Sequence, residues 1–399
     1  MSSKPRNPFN TETGQEPPRF VGREHELEIF SHNLVELTAG KPRHLAIIGG
    51  YGIGKTVLLW RMEEEARERK FKTMLLQAYT VSSFKDFYNV VLDGVSRVLP
   101  QGKVRDFIQR LNEIGLSVAG SGFSVKLRDE EFEPQSALRE ILTSACDQLN
   151  KIHGRDVPVV LFIDDFQLIA RSLEKKVLEI LRNVFTVLGR EKRKIMLVVS
   201  GTPDLFSEFV HIHEPLIRFF EPRELPSLSA DEVSEVIEEP LKKINVTFEP
   251  EVIKRIYESS EGNPYFVQLL SHYTFESLTD RIAGIREWDE GLKMALTHLE
   301  ASRFRIIYES ASQGEKKVLY SLYQLGKPAS FSEILKKAKE NRLKEGTTRK
   351  LLQRLHKDKE ILKQLPSGQY DFQTKLFTLW LKVKQPFLHN GTATMKKVD

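Results

Sequence analysis

Residues Gly49 to Thr56 read GGYGIGKT, four glycines ahead of a Lys-Thr pair. Glycine lets the backbone turn so that successive N–H groups face inward on phosphate oxygens. A lysine placed after such a loop reaches the β and γ phosphates, and a threonine hydroxyl can ligate Mg²⁺. Gly49, Gly50, Tyr51, Gly52, Ile53, Gly54, Lys55 and Thr56 are therefore expected to cradle ATP, Lys55 with a catalytic part and Thr56 as a metal ligand. A glycine-rich turn without chemistry would look similar. This one, however, lies between an apolar run, HLAII, and a helical pattern opening at Lys55, which is the context that gives the motif physical meaning.

Such a site needs a carboxylate at the end of a neighbouring buried strand. VVLFIDDFQ supplies it: Val159–Ile163 read as the strand, Asp164 is expected to hold Mg²⁺, and Asp165 to orient or deprotonate the attacking water. The next strand, Ile195–Ser200, runs into Gly-Thr-Pro-Asp. Ser200 or Thr202 could meet the γ phosphate or the water from there. Thr202 is the one assigned to the catalytic set, against the plainer reading of a strand-terminal turn.

The elements that must position these groups alternate along the chain. HLAIIG, KTMLLQAY, PVVLFID and KIMLVVSG are short continuous apolar runs, and helical patterns span Lys55–Arg69, Phe84–Val98 and Leu173–Leu188 between them. That pattern predicts a three-layer α/β core around a parallel sheet buried on both faces. A looser middle contains GLSVAGSGFSVKL, Gly115–Leu127, which reads as a β-hairpin. After Pro226 the strands stop. Helices are expected over Ala230–Ile244, Glu251–Ser259, Pro264–Leu278 and Trp288–Leu299, then Gln313–Leu325, Phe331–Lys339 and Thr347–Lys357, a hairpin around Pro-Ser-Gly, and a last helix Leu376–Val383. The domains so drawn are a flexible leader 1–19, a P-loop core 20–226, a helical lid 227–300 and a winged helix 301–399.

Composition narrows the partners. The longest apolar runs are strand-length, short of the roughly 18 to 20 residues of a membrane span, so no membrane contact is expected. The N-terminus lacks the apolar centre of a secretory signal. A single cysteine, Cys146, allows neither an internal disulfide nor a cysteine metal cage, which fits a reducing cytoplasm. The net charge of +5 hides an asymmetry: residues 301–399 carry 21 Lys+Arg against 9 Asp+Glu, +12, which leaves 39 against 46, −7, in residues 1–300. Basic charge concentrated at one end suggests a polyanion such as double-stranded DNA, although a solvated basic face would have the same composition.

The third helix of the winged-helix pattern, GTTRKLLQRLHKDK, divides as a recognition helix must. Thr347, Thr348, Arg349, Lys350 and Arg354 are the expected DNA contacts, and Leu351, Leu352 and Leu355 the core face. Lys363, before the Pro-Ser-Gly turn, and Gln369, after it, would lie on the wing. A winged helix that binds protein is the competing reading. His211 and His213 have the spacing of a metal pair, but no further ligand stands near them in sequence.

FVGRE at Phe20–Glu24, GGYGIGKT, FIDD, the polar end of the following strand and EGNPYFVQLL at Glu261–Leu270 occur in the order found in AAA+ and STAND-like P-loop ATPases. The chain resembles the archaeal-type ATPase group, similar in layout to origin-recognition and Cdc6-type initiators. The resemblance implies Mg-dependent ATP hydrolysis, Phe20 and Val21 beside the adenine, and Asn263 and Pro264 at the nucleotide. It also implies an arginine finger completing a neighbouring subunit's site in a homo-oligomer: Arg218, with Arg223 as runner-up. Two positions depart from the initiators. Asp165 stands where they commonly carry Glu, so hydrolysis is expected to be slow or partner-stimulated. Tyr265 stands where they commonly carry Arg, and GNPYF is instead similar to the Gly-x-Pro motif of STAND-like ATPases. The function so expected is a switch coupling nucleotide state to DNA binding through the winged helix. The alternative is a STAND-like signalling or scaffold ATPase whose C-terminal domain binds protein.

Overall fold

The computed structural model describes every residue except 1–4, 13–14, 79–80, 122–123, 128–132, 174–175, 204, 206–217, 360 and 385–399. Among the described residues, five strands form one parallel sheet in the order β2 (Lys72–Gln77), β5 (Val159–Asp164), β6 (Ile195–Gly201), β1 (His44–Ile48), β7 (Phe220–Glu224). Every position of β1, β5 and β6 is buried, as a parallel sheet covered on both faces requires.

Alternation along each strand assigns the two faces. Ala46, Ile48, Leu161, Ile163, Leu197 and Val199 join one core with α3 (Phe84–Val98), α5 (Pro134–His153) and α7 (Lys176–Arg190). From the other face Phe162 meets Phe30 of α1 (Glu24–Thr38), ring centroids 6.0 Å apart. The result is the three-layer α/β core expected from the sequence. Two helices fill its loosely patterned middle, α4 (Gln101–Glu113) and the 20-residue α5, and between them lies the antiparallel hairpin of β3 (Val118–Ser121) and β4 (Ser124–Leu127).

Two compact units divide the chain, one built on Val21–Pro226 and the other on the helices from Ser227 onward together with Pro17–Phe20 and the start of the chain. In the second unit α8 (Ala230–Lys242), α9 (Pro250–Ser260), α10 (Pro264–Glu276) and α11 (Ile285–Leu299) are joined by a two-residue parallel pairing of β8 (Thr247–Phe248) with β9 (Ile282–Ala283). Helices α10 and α11 approach closely because Gly291 has no side chain: a Cβ there would lie 2.6 Å from the Thr274 backbone nitrogen.

Part of the expected leader lies against α10. Asn7 Nδ2 donates to His272 O (3.1 Å) and Glu276 Oε1 (2.7 Å), His272 Nδ1 donates to Phe9 O (2.9 Å), and Phe9, 3% exposed, packs on Phe248. A buried aromatic and a network of hydrogen bonds anchor this segment to α10.

After a π-helical turn, Glu300–Phe304, and α12 (Arg305–Ser310), the chain forms α13 (Gln313–Leu325), α14 (Phe331–Glu340) and α15 (Glu345–Gln353). Ser312 and Ser330 cap α13 and α14 reciprocally with Glu315 and Glu333, which fixes both helix starts. Helix α15 opens two residues before the expected Thr347 and widens into a π-helical turn over Arg354–Asp358. An antiparallel hairpin follows, β10 (Leu362–Gln364) with β11 (Tyr370–Phe372), then α16 (Lys375–Lys384). Ala329, just before α14, forms an isolated antiparallel bridge with Tyr370 of the hairpin. No helix among the described residues is long and apolar enough to cross a membrane.

Candidate nucleotide site and basic helix

The sheet order puts β6 between β1 and β5, so the strand ends bearing the glycine loop, a hydroxyl and two carboxylates lie side by side. From β1 the chain enters the loop, where Gly52 (φ +72°) and Gly54 (φ +96°) adopt left-handed backbone that a side chain would strain. Helix α2 (Lys55–Glu68) starts at once, leaving its first amides unpaired within the helix and available to an anion. Lys55, 9% exposed, folds back over the loop and donates to Gly49 O (2.8 Å) and Gly50 O (3.0 Å).

Thr56 Oγ1 donates to Asp164 Oδ2 at 2.7 Å. The other oxygen, Oδ1, accepts from the Ser200 hydroxyl and from the Asp165 amide (3.0 Å), and that amide also lies 3.0 Å from Ser200 Oγ. A hydroxyl and a carboxylate brought together across two elements are hard oxygen donors suited to Mg²⁺. No group of three His, Cys, Asp or Glu that could hold a metal occurs among the described residues. An ion at Thr56 and Asp164 would take its remaining ligands from phosphate and water, as Mg²⁺ usually does with nucleotides.

Asp165 has φ +50°, a left-handed turn that ends the strand direction right after Asp164, and its Oδ1 accepts from Gln167 Nε2 (2.9 Å). Asp tolerates this conformation better than most residues. Of the two hydroxyls considered at the end of β6, the one that reaches the carboxylate is Ser200, fully buried. Thr202 Oγ1 is buried without a hydrogen-bond partner among the described residues. Strand register explains the difference: Ser200 lies in the ladder opposite Ile47, while Thr202 follows the strand's end.

Val21 is buried in the core unit. Phe20, Asn263 and Pro264 belong to the helical unit, where Asn263 caps α10 by accepting from the Tyr265 and Phe266 amides (3.1 and 3.4 Å). Arg218 is exposed just before β7, and Arg223 is ion-paired with Glu221 within that strand. His211 and His213 lie outside the described residues. Sequence reasoning missed Arg23, read then only as part of FVGRE. Its guanidinium is buried and donates to the carbonyls of Gly22, Ile53 and Pro226. A charged residue immediately before α1 gave no sign that it would be enclosed.

At the far end of β1, His44 is enclosed by Phe185 and Phe219, and its Nδ1 accepts from the Leu197 amide at 3.0 Å. Burial pulls its pKa down to about 3, so it is neutral in the folded protein.

The expected DNA-contacting residues separate into two groups. Thr347, Arg349, Lys350 and Arg354 are exposed. Arg349 lies over the Phe331 ring, 4.2 Å from its centroid, and 3.5 Å from Glu345, while Arg354 Nε is 3.6 Å from the buried Glu315. Thr348 is a correction: it is fully buried and donates to Lys344 O (2.9 Å), so its hydroxyl serves the helix and not an outside partner. Lys363 pairs with Glu261 Oε1 (2.7 Å), whose Oε2 accepts from the Lys375 amide (2.8 Å).

Residues 19–199 match the family described as AAA ATPase domain. An uncharacterized HTH-type transcriptional regulator of Methanocaldococcus jannaschii is 23% identical over 347 residues, covering 79% of this chain and 77% of that protein. Among solved structures, a Walker-type ATPase of Pyrococcus abyssi superposes with a TM-score of 0.63 at 14% identity, over 91% of this chain and 96% of the other. The ORC2 protein of Aeropyrum pernix, solved in ADPNP and ADP complexes, gives 0.61 at 14% identity over 96% and 98%. At these identities the superpositions establish a shared fold.

Proposed function

We propose, from the match of residues 19–199 to the AAA ATPase domain, that the chain is an ATPase of this kind and acts as a nucleotide-dependent DNA-binding switch. The observation that carries this reading is the convergence of Thr56, Asp164 and Ser200 beside the glycine loop. Lys55 donates to the β and γ phosphate oxygens in place of the loop carbonyls it now holds. Thr56 and Asp164 would hold Mg²⁺, which when bound would neutralise charge on the phosphate oxygens. Ser200 holds Asp164 in place by donating its hydroxyl to Oδ1. Asp165 accepts a hydrogen bond from the attacking water and orients it. Catalysis is positioning plus electrostatic stabilisation, and Arg218 is the residue offered to a neighbouring subunit's site.

The C-terminal helices α13 to α15 with their hairpin are read as a winged helix, and α8 to α11 as the lid. Exposed Thr347, Arg349, Lys350 and Arg354 on one side of α15 and its closing turn support duplex DNA as the partner. The HTH-type name of the M. jannaschii relative agrees with it. One observation favours the second reading, a STAND-like scaffold whose C-terminal domain binds protein: Lys363, on the wing, is engaged by Glu261.

The deciding experiment titrates the full chain with a duplex at several salt concentrations, with a non-hydrolysable ATP analogue and with ADP. The switch reading expects linear loss of log affinity with log salt and different affinities in the two nucleotide states. Binding that is absent at low salt, or identical in both states, overturns it and leaves the scaffold reading.

A further inference from the structure

Arg23 has no part in the site as described so far, yet its burial and partners set it apart. Its guanidinium, 3% exposed, joins three backbone carbonyls from separate places: Gly22 (2.9 Å), Ile53 inside the phosphate loop (3.1 Å) and Pro226, where the chain leaves the core (2.9 Å). A planar fork with several donors in fixed directions can bridge such a set, and an ammonium cannot reproduce the geometry. Ile53 lies between the two left-handed glycines, Gly52 and Gly54. In a planar trans peptide the C=O of one residue and the N–H of the next point opposite ways. A guanidinium that pins the Ile53 carbonyl therefore sets the direction of the Gly54 N–H, one of the amides from which a phosphate cradle is made.

We propose that Arg23 is a positioning residue for the phosphate loop, aiming the Gly54 N–H through the Ile53 carbonyl and tying the loop to the departing chain at Pro226. This rests on the nucleotide-binding reading. Occupancy of the loop then has a direct mechanical connection to the segment that leads out of the core. The bonds on Ile53 and Pro226 come from one rigid group, so a shift of the loop peptide pulls on the Pro226 carbonyl.

The test uses the full chain, Mg²⁺ and a non-hydrolysable ATP analogue. Arg23→Met keeps the length and removes the donors. It is expected to weaken analogue binding on the order of 100-fold, the effect of a misplacement of about 1 Å at a reacting group. Arg23→Lys keeps the charge without the fork and is expected to lose about tenfold. Leu188→Ala, fully buried near the C-terminal end of α7, is the control for mere destabilisation and is expected to leave affinity unchanged at a comparable fall in melting temperature. Hydrogen exchange at the Leu225 and Ser227 amides, which flank Pro226, gives a readout that a purely structural role would not move. Those amides should respond to saturating analogue in the wild type and not in either Arg23 variant.

Wild-type affinity in Arg23→Lys, an equal loss in Leu188→Ala, or the same exchange response in the variants overturns the proposal. If Arg23→Met does not fold, Arg23→Lys carries the same comparison. A wild-type chain that does not bind the analogue overturns the nucleotide reading itself, an outcome distinct from the others because no variant is needed to see it.

Discussion

Two Thr residues beside basic side chains make opposite use of the same chemistry. Thr56, next to Lys55, bonds a carboxylate 108 residues away in sequence, while Thr348, next to Arg349, bonds the carbonyl four residues back in its own helix. Around Thr56 the cation is folded over a glycine loop and nearly excluded from solvent. Around Thr348 the cations stand exposed, with Arg349 more than half so and its acidic neighbour equally open. Residue type alone does not separate these regions. A long-range partner and burial commit the first to one geometry, whereas the second offers charge to whatever polyanion or acidic surface fits.

Removing the committed cation should have the largest effect. Lys55→Ala is expected to lower ATP turnover at least about 100-fold, the scale of deleting one preorganised donor to a developing charge. The basic helix should be untouched, so DNA affinity without nucleotide should stay the same. Turnover that survives Lys55→Ala would mean that hydrolysis is done elsewhere.

Ser200 and Thr202 sharpen the contrast within the buried region. Ser200→Ala removes the hydrogen bond to the Asp164 carboxylate, worth about 1.5–3 kcal/mol, and should cost roughly 10- to 100-fold in Mg-dependent turnover. Thr202→Val replaces a hydroxyl that is buried and unpartnered among the described residues, and should change turnover by no more than about twofold. If the ranking reverses with both variants folded, Thr202 is the side chain that meets the nucleotide.

The buried region was legible in sequence because each of its parts encodes backbone geometry. GGYGIGKT specifies a loop, and VVLFID and IMLVVSG are strands whose ends must be neighbours in a parallel sheet. Choosing between Ser200 and Thr202 required the register of β6 against β1, which no local pattern contains. Arg23 was invisible for a similar reason, since one of its acceptors, the Pro226 carbonyl, is 203 residues away in sequence. Helix α5 was missed although its signals were present: Glu133 as cap, Pro134 in the first turn and Gly154 in left-handed conformation at the end. Its interruption by Ser, Thr, Cys and Asn weakened the periodic pattern. The helix at α15 was legible from its leucine spacing, with shifted bounds, but Thr348 was assigned to the outer face. Helical spacing puts Thr348 one turn before Leu352 and two before Leu355, and both leucines are buried.

The two regions should also answer to different solution variables. His44 is neutral when folded, with its pKa lowered from 6.5 to about 3, so the unfolded chain takes up the proton first. Its contribution to stability is complete above pH 6.5 and is lost as pH falls from there toward 3. At about 1.36 kcal/mol per unit, the loss at pH 5 is about 2 kcal/mol. Denaturant melts of the wild type and His44→Gln between pH 7.5 and 5 check this: the wild type should lose stability more steeply, and parallel curves would show that His44 does not set the slope.

Salt should separate the regions from the other side, with the smallest effect on a single residue. Lys350 is exposed on α15, and each phosphate it neutralises contributes about 0.9 to the slope of log affinity against log salt. Lys350→Ala should therefore flatten that slope by about 0.9 and weaken duplex binding about fivefold near 0.15 M salt, uniformly across DNA sequences. Thr348→Val, two residues before it, should leave the slope unchanged and act only on stability, because the hydroxyl it removes bonds Lys344 O inside the helix. ATP turnover should not change in either variant. A Lys350→Ala slope equal to that of the wild type would mean that the exposed cations of α15 do not face phosphate, and would assign this helix to a protein partner while leaving the buried site intact.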